Sequence, residues 1–196
     1  AHTALRVRAA EGRCSSRASR YGGSGKNKWG NVMNAELETS SIIESAYEAA
    51  LDPSAWSQVM NQVCKVLRGP GIFFVQDVND AKADVFEYVG FEDHYVRQYV
   101  DHFAAINPWL PRIRSPKDLT LVTGRDLLTQ DEYEATEFYN DWMKPQGQYE
   151  MIGGLLIKNQ NVFTNISFTR PETEGVWTRQ ELRFYSAIMR HIRRAV

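Results

Sequence analysis

The stretch YEMIGGLLIKNQNVFTNISFTR, residues 149–170, contains two apolar runs separated by the turn NQN at residues 159–161. Two such runs around a short polar turn predict a β-hairpin. Gly153 and Gly154 interrupt the first run, which indicates a bulge or a close backbone approach at these positions. An antiparallel pair of strands is therefore the first element of the predicted fold.

A second hairpin is predicted upstream, from GIFFVQDV and DVFEYVG joined by NDAKA, and LTLVTG at residues 119–124 is a further short strand candidate. Segments with helical spacing lie before, between and after these strands. The predicted order is α-α-β-β-α-β-α-β-β-α. This order predicts an α+β fold, an α/β sandwich in which helices flank an antiparallel sheet of about five strands.

Three helices carry clear start, stripe or stop signals. The stripe of the second helix consists of Trp56, Val59, Met60, Val63 and Leu67, and Gly69 is predicted to end that helix. Thr129 with Glu132 has capping-box spacing and is predicted to open one helix that runs through EFYNDWMKPQG, residues 137–147. A second capping box opens the last helix, whose apolar stripe is Leu182, Tyr185, Ile188, Met189 and Ile192.

Length, charge and cysteine content set the domain organisation. The 196 residues predict one domain, and no apolar run is long enough to cross a membrane, so no membrane partner is expected. Residues 1–32 hold seven Lys or Arg and one acid, whereas the remainder carries a net charge of −7. We predict a disordered basic extension over 1–39 and a folded domain over 40–196; a transit segment and a nucleic-acid-binding arm are alternatives for the head.

The motifs of common enzymes and cofactor sites do not occur in the sequence. No nucleophile elbow, P-loop, zinc-protease motif or dinucleotide fingerprint is present, so no enzyme and no cofactor are predicted. His94 and His102 lie eight residues apart on one helix and fall on its polar side, so a solvated face is favoured over a metal site. Cys14 and Cys64 match no zinc, redox or disulfide pattern, which indicates a reducing compartment and a cytoplasmic location.

An aromatic set remains as the candidate for binding. It consists of Tyr95, Tyr99, Phe103, Trp109, Phe138, Tyr139, Trp142 and Tyr149. Such a set is more often core, but several Tyr and Trp around one space would form an apolar pocket with a few polar anchors. On the pattern alone, both interpretations stay open.

Four segments resemble a known family. AYEAALDPSAWSQVMNQV, YVRQYVDHFAAINPWLPR, TEFYNDWMKPQG and TRQELRFYSAIMRHIRRAV resemble, in this order, the amino-terminal sensory region of bacterial LuxR-type helix-turn-helix regulators. The resemblance covers residues 41–196 and implies a PAS- or GAF-like sensor. It also implies that the DNA-binding domain that normally follows is absent from this chain, so that DNA is a partner only through that missing domain.

The resemblance also implies a ligand site. Quorum-sensing members bind acyl-homoserine lactones through an aromatic pair followed by Asp-Pro, and this chain has Tyr95, Tyr99 and then Asn107-Pro108. Tyr95 stands in place of Trp and Asn107 in place of the acid, so the ligand is left open as a small apolar or amphipathic molecule. The candidate ligand-binding residues are Tyr95, Tyr99, Phe103, Asn107, Trp109, Phe138, Tyr139, Trp142 and Tyr149.

Three functions compete at this point. The first is a ligand-responsive sensor domain that forms a homodimer and relays binding to DNA-binding helices. The second is a ligand-free homodimerisation module, in which exposed Ile188 and Ile192 of the last helix would meet a second copy. The third, a small enzyme on a similar sheet, lacks a recognisable nucleophile or metal site in the sequence.

Overall fold

The helices and strands follow one another in the predicted order. The computed structural model describes residues 32–77, 83–113, 121–158 and 162–196. The helices are α1 (Val32–Leu51), α2 (Trp56–Leu67), α3 (Asp93–Gln98), α4 (Ala104–Ile106), α5 (Leu110–Ile113), α6 (Gly124–Leu127), α7 (Gln130–Glu134) and α8 (Arg179–Ala195). The strands are β1 (Gly71–Asp77), β2 (Ala83–Val89), β3 (Val122–Thr123), β4 (Glu150–Lys158) and β5 (Val162–Arg170).

The five strands form one antiparallel sheet in the order β2-β1-β5-β4-β3. The two predicted hairpins pair within themselves, and β1 joins them by pairing with β5 from Gly71↔Phe168 to Asp77↔Val162. The turn residues 79–82 and 159–161 lie outside the described residues. The fold class is therefore confirmed as an α+β sandwich.

The sheet separates two apolar layers. Helices α1, α2 and α8 cover one face, where their side chains pack on Phe73, Ile152, Ile166 and Phe168. Residues 91–113 and 121–149 cover the other face and pack on residues such as Ile72 and Phe74. Because successive side chains of a strand point to opposite faces, each central strand contributes to both layers.

Gly153 is the glycine of β4 at which the predicted close approach occurs. A Cβ built on Gly153 would lie 2.9 Å from Ser167 Oγ and 3.1 Å from Met151 Sδ, so a side chain there would push into the β5 side chains. The irregularity in the β4–β5 register falls later, between Leu155 and Ile157. Gly153 thus leaves the sheet face beside Ser167 open.

The end of α2 differs from the prediction. The helix ends at Leu67, and it is Arg68, with φ of 56°, that takes the left-handed conformation predicted for Gly69. The Arg68 side chain makes an ion pair with Glu174 at 3.2 Å. Gly69 has another role, because a Cβ at this position would lie 1.8 Å from the carbonyl oxygen of Thr169.

The prediction of one continuous helix from Thr129 through residue 147 is wrong. The capping box at Thr129 is present, but α7 ends at Glu134, and a π-helical segment begins at Phe138 (Phe138–Met143). Polar side chains take over the backbone at the break. Thr136 Oγ1 donates to Tyr133 O at 2.6 Å, and Asn140 Nδ2 donates to Glu134 O at 2.7 Å, so local side-chain bonds compete with the helical ladder.

A second π-helical segment lies between α3 and α4, at Tyr99–Phe103. It faces the first one, since Tyr99 and Phe103 both contact Trp142. The two segments are joined at the surface by His102 Nε2 and Glu137 Oε1, which are 2.6 Å apart. The sequence pattern predicted a helix here but not its widened turns.

The last helix has its apolar stripe in the core. Ile188 and Ile192 are both 0% exposed, so the expectation that they are free to meet a second copy is wrong: they pack with α1 and the sheet. Helix α1 begins at Val32, before the predicted domain start at residue 40, and residues 1–31 lie outside the described residues. No helix within the described ranges combines the length and apolarity needed to span a bilayer.

Candidate functional site

An aromatic cavity lies between the sheet and two parts of the chain, residues 91–110 and 138–142. The sheet side is formed by Ile72, Phe74, Met151, Asn165, Ser167 and Thr169. The helical side is formed by Phe91, Tyr99, Asn107, Trp109, Leu110, Phe138 and Trp142. The cavity is narrow, since about 30 Å³ of it is open to the centre of a water molecule. That volume holds about two waters, so the rings themselves occupy most of the site in this conformation.

Asn107 fixes the polar corner of the cavity. Its Oδ1 accepts a hydrogen bond from the backbone N–H of Trp109 at 3.1 Å, and its Nδ2 donates to the hydroxyl of Tyr99 at 3.2 Å. All three residues are buried. Burial raises the pKa of Tyr99 well above its ordinary value, although the bond from Asn107 opposes the shift. The phenol is therefore a neutral hydroxyl at physiological pH.

A second polar pair stands on β5. Asn165 Nδ2 donates to Ser167 Oγ at 2.7 Å, and both side chains line the cavity. Asn165 Oδ1 is buried and has no hydrogen-bond partner among the described residues. A buried acceptor without a donor is rare in folded proteins, and this one borders a cavity.

Trp142 closes the cavity on the helical side. Its indole N–H donates to the backbone oxygen of Tyr95 at 2.9 Å, which ties the Phe138–Met143 segment to α3. Its ring centre lies 5.1 Å from those of Tyr99 and Phe138 and 5.9 Å from that of Phe91, with which it stacks. These contacts are typical of aromatic packing and stabilise the closed arrangement.

The nine predicted ligand-binding residues divide into two groups. Five line the aromatic cavity: Tyr99, Asn107, Trp109, Phe138 and Trp142. Phe103 is buried behind Trp142, and Tyr95 is half-buried and contributes its carbonyl to Trp142. Tyr139 packs between Tyr133 and Tyr149, and Tyr149 borders a smaller pocket next to Trp109. Ligand binding stays a prediction for all nine.

The residues on the sheet side of the cavity were not among the predicted ligand-binding residues. Asn165, Ser167 and Thr169 alternate along β5 with Ile166 and Phe168. The three polar side chains therefore face the cavity, and the two apolar side chains face helices α1, α2 and α8. The alternation is visible in the sequence NISFT, residues 165–169. Polar side chains on one side of a strand that is covered on both faces are the signal that could have identified these residues.

The aromatic cavity is lined by uncharged side chains. None of its lining residues among the described ones carries a charged side chain, and the polar groups present are amides and hydroxyls. Transfer of an ionised group into such a space costs several kcal/mol or more, so the arrangement favours a neutral molecule or the neutral part of one.

The histidines considered for metal binding lie on the surface. His94 Nδ1 is 3.6 Å from Glu92, and His102 is paired with Glu137; both ring side chains are about half exposed. Within the described residues no three His, Cys, Asp or Glu side chains are grouped so that they could hold a metal ion.

The α+β sandwich fold is shared by solved structures. The LBD domain of VqsR from Pseudomonas aeruginosa is 14% identical with a TM-score of 0.61, and the match covers 78% of this chain and 94% of that one. CepR2 from Burkholderia cenocepacia, an N-acylhomoserine lactone dependent LuxR family transcription factor, is 14% identical with a TM-score of 0.59 and coverages of 81% and 92%. The GAF domain of a phosphoenolpyruvate-protein phosphotransferase from Coxiella burnetii is 12% identical, with a TM-score of 0.51 and coverages of 82% and 93%.

These likenesses show the fold. No protein-family model and no curated protein matches the sequence. The chain thus has the fold found both in ligand-binding domains of LuxR-type regulators and in GAF domains, at an identity that carries no specific function.

Proposed function

We propose that this chain is the ligand-sensing domain of a cytoplasmic LuxR-type transcriptional regulator and binds a small, neutral, apolar or amphipathic molecule. The observation that carries the proposal is the aromatic cavity, with Tyr99, Asn107 and Asn165 as its polar anchors. A few polar groups in an apolar pocket are the usual design for small ligands. The fold shared with the VqsR and CepR2 domains supports the same function.

Ligand entry requires the aromatic rings to separate. Trp142 and Tyr99 lie on the two π-helical segments, and such segments are frequent at functional sites. We infer that an open state, in which Trp142 has moved away from Tyr99, is a minor population that the ligand selects.

Strand β5 connects the cavity to helix α8 on the other face of the sheet. Ser167 lines the cavity, while the neighbouring Ile166 accepts a hydrogen bond from Tyr185 of α8 through its carbonyl, at 2.9 Å. Arg170 at the end of β5 pairs with Glu181 in the first turn of α8, at 3.0 Å. A shift of β5 on ligand binding would therefore move α8, which we propose passes the signal to a DNA-binding domain within a homodimer.

Native mass spectrometry of the 196-residue chain, purified from a bacterial host, tests the proposal. We expect a bound small molecule in the native spectrum that is absent from the denatured one. Ser167→Met adds a side chain inside the cavity and should abolish the bound mass. Ser45→Met is the matched control, because Ser45 is equally buried but lies in α1, on the other face of the sheet.

A ligand-free homodimerisation module is the second candidate. The narrowness of the cavity favours it, since the rings fill the site without a ligand. A clean apo spectrum together with a concentration-dependent dimer would support this candidate and contradict ligand sensing. Equal loss of the bound mass in both serine variants would show that Ser167→Met acts through folding rather than through the cavity.

A further inference from the structure

A smaller space, here called the side pocket, lies next to Trp109 and contains none of the β5 residues that line the aromatic cavity. It is bordered by Trp109, Gly124, Arg125, Thr129, Tyr133 and Glu150. About 20 Å³ of it is open to the centre of a water molecule, which is enough for one oxygen-bearing group. Trp109 borders both this space and the aromatic cavity, so molecules in the two spaces would contact the same indole.

Two buried polar groups at the side pocket have no partner. Trp109 Nε1 and the Tyr133 hydroxyl make no hydrogen bond among the described residues, although the residues are only 4% and 6% exposed. Trp142 and Tyr185, at comparable depth, are both bonded through the same types of group. Because buried donors are nearly always satisfied, these two indicate a missing acceptor.

The unpaired indole N–H lies on the side-pocket side of Trp109. A Cβ built on Gly124 would be 3.4 Å from Trp109 Nε1 and 3.4 Å from Glu150 Oε1. The space above Gly124 is therefore bounded by a hydrogen-bond donor and by a carboxylate oxygen. A side chain at this position would occupy it.

The charges at the side pocket compensate each other. Glu150 Oε2 accepts from Arg125 Nε at 2.6 Å, and the Glu150 side chain is 4% exposed. A second anion would lie next to this carboxylate, and a cation would compete with Arg125. A neutral group that both accepts and donates a hydrogen bond fits: it accepts from Trp109 and Tyr133 and donates to Glu150.

We propose that the side pocket binds a hydroxyl group of the ligand, with Trp109 Nε1 and the Tyr133 hydroxyl as donors, while the apolar part of the same ligand occupies the aromatic cavity. The inference rests on the proposed function and narrows the ligand class to neutral amphiphiles that carry a hydroxyl. Burial raises the pKa of Tyr133 above its ordinary value, so this phenol keeps its proton for donation.

Two isomeric probes test the proposal: 1-octanol, which donates and accepts, and 1-methoxyheptane, which only accepts. Dissociation constants are measured by calorimetry with the full chain. We expect 1-octanol to bind about tenfold more tightly, the value of one additional buried hydrogen bond. Tyr133→Phe should weaken the binding of both probes by about three- to tenfold, because the oxygen of each probe accepts from the Tyr133 hydroxyl, and Gly124→Ala should weaken both by filling the space that this oxygen occupies.

Tyr139→Phe is the matched control, because Tyr139 packs against Tyr133 but does not border the side pocket. It should leave the affinity for both probes unchanged. A thermal melt provides a second readout: Tyr133→Phe removes an unpaired hydroxyl and should not lower Tm without ligand, whereas Tyr185→Phe, which breaks a bond to Ile166 O, should.

The outcomes separate the two hypotheses. If both probes bind with equal affinity, or if Tyr133→Phe and Gly124→Ala leave both affinities unchanged, the aromatic cavity binds ligands and the side-pocket proposal is wrong. If neither probe binds the wild-type chain, the ligand-sensing function fails and the side-pocket proposal falls with it. An equal loss of affinity in Tyr139→Phe would also refute the assignment to the side pocket.

Discussion

Replacing Arg170 with methionine is expected to lower the free energy of unfolding by about 3 kcal/mol, at the lower end of the range for broken buried ion pairs. Arg170 is 1% exposed, and its Nη1 and Nη2 lie 3.0 and 3.3 Å from the two carboxylate oxygens of Glu181. Its guanidinium also stacks on Trp177, 3.7 Å from the ring centre. Glu181 keeps its bonds from Thr178, which is why the lower end applies.

Chemical denaturation and thermal melts measure this loss. In a chain of this length, about 3 kcal/mol corresponds to a decrease in Tm of about 6–12 °C. Glu181→Gln should be similarly costly, because it leaves Arg170 buried without an anion. The double variant Arg170→Met/Glu181→Gln should lose at least about 1 kcal/mol less than the sum of the single changes. Strict additivity would refute the inference that the two side chains form one coupled unit.

The pH dependence provides an independent check. Burial alone would raise the pKa of Glu181, but hydrogen bonds from Arg170 and Thr178 outweigh it and hold the pKa below the ordinary glutamate value of 4.5. A carboxylate with a depressed pKa contributes stability above its unfolded-state pKa and loses it as the pH falls through the folded-state value. The stability gap between wild type and Glu181→Gln should therefore be constant near pH 7 and narrow below about pH 4.5. The matched control is Glu132→Gln, since Glu132 completes the capping box at Thr129 without a buried arginine.

Three further changes have defined outcomes. Tyr185→Phe should cost about 1–2 kcal/mol in urea unfolding, because the buried carbonyl of Ile166 loses its donor; no loss would show that water replaces it. Gly71→Ala should cost about 1–3 kcal/mol, because its Cβ would lie 2.5 Å from the ring of Phe168, and an unchanged midpoint would mean that this ring moves freely. Burial raises the pKa of the Cys64 thiol to about 12, so at pH 8 site-resolved alkylation of Cys64 should be slow until urea unfolds the chain, and fast native labelling would contradict its burial.

The sheet was predictable because its strands carry strong local signals. Alternating β-branched and aromatic residues in VFTNISFTR and the short turn before them determine a hairpin, whatever the rest of the chain does. The capping boxes at Thr129 and Thr178 were equally readable, since each needs only two residues at fixed spacing, and both are present.

The interruptions of the helices could not be predicted from the spacing of apolar residues. The break after Glu134 depends on where the side chains of Thr136 and Asn140 find their acceptors, which is a choice between several local hydrogen bonds of similar energy. The left-handed residue at the end of α2 is likewise Arg68, and the glycine at position 69 is required instead because Thr169 of β5 leaves no room for a Cβ there. That neighbour is a hundred residues away in the chain and is invisible to a local rule.

The cavity could be predicted only in part, because one of its sides is formed by residues that are distant in the chain. The aromatic cluster showed which helical residues gather, but the opposite wall requires the pairing of β5 with β1 and β4, which places Asn165 and Ser167 against Tyr99 and Trp109. The unpaired atoms of Trp109, Tyr133 and Asn165 appear only once this packing is known. Each of them contradicts the rule that buried polar groups are bonded, and all three border one of the two spaces beside the Trp109 indole. In the proposed function, these three atoms are the positions at which a ligand would make hydrogen bonds, and its binding would stabilise the folded chain.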